Sequence, residues 1–156
     1  MTATPALTQK QFTSEVRGFI RDFPELNRLI LGEESSNRMI DYCTWLALDE
    51  WNTTPPLSAN TVATFPSRFL LLRLTIIHLL TSVGLLKSRN RLAYNDGGFS
   101  VDAEAQDDRY MRWVQWFRNE IATPMRNLKV ALNIAGAWGG GVSSEYAALS
   151  GYYDLT

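Results

Sequence analysis

The chain has 156 residues, enough for one domain with a real hydrophobic core. Hydrophobic residues make up 46% of it, which excludes wholesale disorder, and the formal charge of −1 argues against a dedicated nucleic-acid binder. One Cys and one His exclude a four-ligand Cys/His zinc site within one chain and an internal disulfide, and leave His78 as the only imidazole for a nucleophile's base.

The N-terminus, MTATPAL, has neither a basic nor an apolar leader pattern, so no signal peptide is expected. The first helix signal is a capping box at Thr8-Gln9-Lys10-Gln11. Phe12, Val16, Phe19, Ile20 and Phe23 follow it at helical spacing. Pro24 ends that pattern and opens a short second helix carrying Leu26, Leu29, Ile30 and Leu31, which Gly32 stops. Ser36 or Asn37 caps a third helix from about Arg38 to Trp51, with Met39, Tyr42, Cys43, Leu46 and Ala47 on its apolar face. Cys43 reads there as a small core residue. Thr53-Thr54-Pro55-Pro56 breaks the helix, and Leu57 to Phe65 reads as loop or a short turn. The Asn52-Thr53-Thr54 sequon reads as chance in the absence of a secretion signal.

Pro66 suits the first position of a long apolar helix reaching about Arg91. Its segment Phe69 to Leu86 is apolar enough to suggest a membrane span, yet it carries Arg73 and His78, which are costly within a bilayer. It reads as the buried central helix of a bundle, with Arg73 and His78 paired across the bundle or facing a seam between subunits. No membrane partner is expected. Lys87, Arg89 and Arg91 at its end suit the negative pole of the helix dipole and could also touch a phosphate. Beyond them, Tyr94 to Val101 reads YNDGGFSV. Asn-Asp-Gly-Gly has tight-turn chemistry, so the flanking pieces can pair as a small hairpin, and Ser100 can cap the next helix.

The last helix runs from about Asp102 to Ala135, roughly 50 Å, with Pro124 expected to kink or split it. Trp113 and Trp116 form an aromatic stripe with Phe117. A helix this long outruns a monomer core and offers part of that stripe to a neighbour. After Ala135 the pattern fails in Gly136-Ala-Trp-Gly-Gly-Gly-Val142. Gly139, Gly140 and Gly141 lack the Lys-Ser/Thr of a phosphate loop and read as a joint. Trp138, Tyr146, Tyr152 and Tyr153 then suit an extended arm that docks on another subunit, since they give large contact area for few rotatable bonds. The expectation is an all-α protein: a four- to five-helix bundle over residues 1–135 and an extended docking arm over 136–156. The paired carboxylates Glu33/Glu34, Asp49/Glu50 and Asp107/Asp108 diverge on a helix and read as solvated surface. No catalytic residue, metal ligand or cofactor emerges, and the chain reads as a non-enzyme.

The YNDGGFSV turn entering a long helix, followed by a Trp-Gly-rich tail ending in Ser-Glu-Tyr, resembles head-to-tail connector, or adaptor, proteins of the tailed-phage neck. The resemblance spans about Leu70 to Tyr146. It implies a structural virion protein that forms a ring, commonly of twelve copies, beneath the portal protein. Such a ring meets tail or other neck proteins and continues the DNA channel without catalysis. In that setting Trp113, Trp116 and the arm residues bind partners, Lys87, Arg89 and Arg91 face passing DNA, and near-zero charge keeps DNA from sticking. Two other readings stand beside it. One is a tail assembly chaperone or accessory phage factor, and the other is a helical domain with a small-molecule pocket along Phe69–Leu86.

Overall fold

A computed structural model describes residues 7–27, 32–89, 95–96, 99–100 and 105–153, with side chains over 7–27, 32–89 and 109–137. The described residues are all-α apart from one two-residue ladder. They form α1 (Gln9–Ile20), α2 (Asn37–Thr53), α3 (Arg68–Arg89) and α4 (Ala105–Tyr153). The ladder pairs β1 (Asn95–Asp96) with β2 (Phe99–Ser100) in antiparallel register, Asn95 opposite Ser100.

Local chemistry sets the helix ends. Thr8 and Gln11 form the reciprocal capping box of α1, and the Ser36 hydroxyl caps α2 at the Met39 N–H. Arg21 closes α1 in the left-handed region at φ 57°, returning its N–H to the Arg17 carbonyl. The Arg17 guanidinium then secures the chain between α1 and α2. It donates to Asp22 at 3.1 Å, to the Ser35 carbonyl at 2.8 Å and to Asn37 at 2.8 Å. Burial alone would raise the Asp22 carboxyl, but the Glu34 and Ser35 N–H groups, Asn27 and Arg17 outweigh it and lower it.

α3 is the central element and packs against both α2 and α4. Leu70, Leu71, Leu74, Ile76, Ile77 and Leu79 are buried from several sides of the helix, which is why its apolar pattern runs nearly all round. By length and hydropathy α3 could cross a membrane; here it fills the core instead. Phe12 and Val16 reach that core from α1, Ile40, Cys43, Ala47 and Trp51 from α2, and Phe117 and Ile121 from α4.

Several sequence expectations need correction. Residues 24–27 make a single turn in which the Leu26 and Asn27 N–H groups return to the Phe23 carbonyl, and the rest of the expected short second helix, 28–31, lies outside the described residues. α3 begins at Arg68 with Ser67 bonded to its first turn, so Pro66 precedes the helix rather than opening it. Ser100 pairs in β2 and does not cap α4, which starts five residues later. Pro124 lies inside a continuous α4 and does not split it. Its ring forfeits one hydrogen bond, and burial of Ile121 and the contacts of Met125 and Leu128 on either side offset that loss.

The largest difference concerns residues 136–156. An extended arm was the expectation from the glycines, but the backbone stays helical through Tyr153, giving α4 49 residues and a length of about 74 Å. Each glycine costs a helix about 1 kcal/mol relative to alanine. Propagation from an established helix needs no new nucleus, and Ala131, Ala135 and Ala137 lead into the glycines with the best helix former. Residues 154–156 lie outside the described part.

Candidate functional site

The ends of α1 and α3 and the middle of α4 converge on one aromatic face. Phe19 comes from the last turn of α1, Phe69 from the first turn of α3, and Trp113, Trp116 and Phe117 from α4. Phe117 is buried and serves as the hub. Trp116 meets it edge-on at 4.8 Å, Trp113 lies 6.1 Å away, and Phe19 approaches it edge-on at 6.3 Å. The two indoles are perpendicular at 5.8 Å. Such geometries suit the ring quadrupole, so the rings hold one another in place.

Arg73 lies beneath this face. Its guanidinium sits 4.6 Å from the Phe19 ring centre, 5.0 Å from Phe117 and 5.1 Å from Phe69. Glu120 of α4 neutralises it, with Nε to Oε2 at 3.0 Å, an ionic contact that lies off the hydrogen-bonding direction. Nη1 is buried with no hydrogen-bond partner and faces ring density instead. Arg73 therefore ties the three ring-bearing helices together, at positions far apart in the sequence.

Although braced from below, the rings stay open above. Trp113 is 55% exposed and Trp116 51%, and Phe19 and Phe69 are exposed as well. With 150–250 Å² per aromatic side chain, the four rings offer roughly 350 Å² of apolar surface, comparable to the largest patch on a typical monomer. Exposed apolar patches of that size are often functional on soluble proteins.

A second polar cluster joins α2, α3 and α4. His78 Nε2 of α3 is 2.9 Å from Glu50 Oε2 of α2, and Arg118 of α4 grips both oxygens of the same carboxylate. Burial would raise the Glu50 carboxyl, but the His78 and Arg118 contacts outweigh it and hold it at about 2. The carboxylate thus stays ionised and clamps three helices. His78 and Arg73 both pair across the bundle, which accounts for two polar side chains in an apolar helix. Cys43 is buried, and burial pushes its thiol up to about 11, out of nucleophilic range. Among the described residues no group of three His, Cys, Asp or Glu is placed to hold a metal.

The sequence-derived site residues separate on this framework. Trp113 and Trp116 join the aromatic face. Trp138, Gly139, Gly140, Gly141, Tyr146, Tyr152 and Tyr153 lie on the backbone of distal α4, with their side chains outside the described residues. Lys87 and Arg89 are exposed at the end of α3, where Lys87 lies 3.7 Å from Glu34, and Arg91 lies outside the described residues. Along Phe69–Leu86, where a pocket was one expectation, Leu70, Leu71, Leu74, Ile76, Ile77 and Leu79 lie in the core while Phe69, Leu85 and Leu86 are exposed. Phe19, Phe69 and Arg73 were not expected to share a surface with the tryptophans. The available signal was weak: Phe69 and Arg73 stand i, i+4 on α3 and so share a helix face. Protein-family models, curated proteins and solved structures yield no match to this chain.

Proposed function

We propose that this chain is a structural, ring-forming virion protein of the tailed-phage neck, joining the portal to the tail and continuing the DNA channel. The observation that carries the reading is the rigid, exposed aromatic face of Phe19, Phe69, Trp113 and Trp116 braced on Arg73. A pre-ordered aromatic surface loses little entropy on docking, which suits a permanent assembly contact. The YNDGGFSV turn and Trp-Gly-rich tail supply the resemblance that makes the assembly a phage neck.

In this reading the aromatic face meets the portal or a tail protein, and residues 136–156 supply the second docking element, helical through Tyr153. Lys87, Arg89 and Arg91 are the candidates for contact with passing DNA, with Lys87 partly neutralised by Glu34.

Electron microscopy of the purified chain mixed with its cognate portal tests the proposal. Rings capping the portal are the expected result. Trp113→Ala with Trp116→Ala should weaken capping at least tenfold while leaving the far-ultraviolet helical signal intact. A chain that stays off the portal and is missing from purified virions by mass spectrometry contradicts the reading and favours an assembly chaperone.

A further inference from the structure

Among the described residues α4 only flanks the 54–58 loop, across open grooves, past its last buried residue, which is Lys129. That residue is the last charge before Glu145, so residues 130–144, VALNIAGAWGGGVSS, carry none. Every residue of 130–137 is exposed, including Val130 at 50% and Ile134 at 53%. Successive helix positions turn by about 100°, so Val130, Ala131, Leu132, Ile134, Ala135 and Ala137 spread over about 220° of the circumference, and Asn133 and Gly136 fill the rest. Asn133 is the one polar side chain among these eight positions. An exposed apolar arc of that width exceeds the stripe of about 100° that one packed face uses, so a single partner would leave part of it open.

Small residues recur at close-packing intervals. Ala131, Ala135 and Gly139 are spaced by four, as are Gly136 and Gly140. Among the described residues a methyl group added at Gly136 would meet nothing within 4 Å. The glycine weakens the helix without easing any contact among those residues. A small residue in such a place allows another helix backbone to come close.

The geometry points to a crown: residues 130–144 of α4 pack side by side, in parallel, with the same residues of neighbouring copies. Three observations favour a second copy of this chain. In a parallel ring of identical helices like positions sit at like heights, where equal charges would repel, and this stretch has no charge. Two flanking copies cover an apolar arc of about 220°, wider than one helix contact. Asn133, at one height in every copy, can bond to its equivalents and fix the register. A membrane is a poor match, because 15 residues rise only about 22 Å, less than the roughly 30 Å hydrocarbon core. The crown rests on the ring of the proposed function and supplies its self-contact.

The test is sedimentation mass of the full chain, wild type against Ile134→Glu with Ala135→Glu. Wild type should assemble, and the double variant should fall to the 17.6 kDa single chain with its helical signal unchanged. Ala135→Cys in a Cys43→Ala background should yield ladders of linked chains with a short bis-maleimide. A double variant that assembles like wild type overturns the crown and leaves the ring to other surfaces. A wild type that stays a single chain also overturns it, as does flotation of the unassembled chain with phosphatidylcholine vesicles. Assembly that is lost in the double variant, together with failure to cap the portal, upholds the crown and contradicts the neck reading.

Discussion

The two halves of α4 follow different rules. Up to Lys129 the helix is amphipathic: Phe117 and Ile121 are buried, Val114, Met125 and Leu128 pack against the core, and Arg118 and Glu120 form ion pairs with α2 and α3. Lys129 itself is 3% exposed, donating to the Thr54 carbonyl at 2.8 Å and the Pro56 carbonyl at 2.9 Å, with its ammonium 4.3 Å from the Trp51 ring centre. Past Lys129 charge vanishes through Ser144, apolar residues spread over about 220° of the helix, and residues 130–137 are all exposed, flanked among the described residues by the 54–58 loop across open grooves. One half serves this molecule's core, and the other is the half we propose meets neighbouring copies.

This contrast predicts unequal costs for mutation. Ile121→Ala, in the proximal half, should lower unfolding free energy by about 3 kcal/mol through lost burial and a residual cavity. Its denaturation midpoint would need to be nearly unchanged for the proximal half to lie outside the core. The Glu50 clamp gives a pH signature. Its folded carboxyl sits at about 2, below the ordinary 4.5, so its stabilisation is complete above pH 4.5 and lost as pH falls toward 2. Wild type should lose up to about 3 kcal/mol over that window. Glu50→Gln should flatten that part of the acid profile, and an unchanged acid midpoint would show that the clamp is not formed in solution.

Lys129→Met tests the boundary. It leaves two carbonyls without their donor and removes the cation from Trp51, for a loss of about 2 kcal/mol in urea denaturation. Ile134→Ala, only five residues on, should change single-chain stability by under about 0.5 kcal/mol, as exposed sites do. Equal losses at Ile121 and Ile134 would erase the distinction between the halves.

Most helices were legible because capping and periodicity are local. Thr8 and Gln11, Ser36, and the Phe69–Leu86 run are all visible without tertiary knowledge. The continuation of α4 was not, because glycine propensity predicts a break and cooperative propagation overrides it. Of the candidate site, Trp113 and Trp116 were legible as an i, i+3 pair. Phe19, Phe69 and Arg73 were not, because their meeting depends on how α1 and α3 cross α4. The role of His78 was half legible: its lack of metal-ligand partners was plain, but Glu50 and Arg118 come from other helices.

Amide hydrogen exchange along α4 at low and high protein concentration tests the division most directly. Residues 112–128 should show high protection at both concentrations, because their cover comes from α3 within the same chain. Residues 130–144 should exchange rapidly when dilute and gain at least tenfold protection when concentrated. Protection of 130–144 that does not change with concentration would contradict the account, because that half would then owe nothing to neighbouring copies.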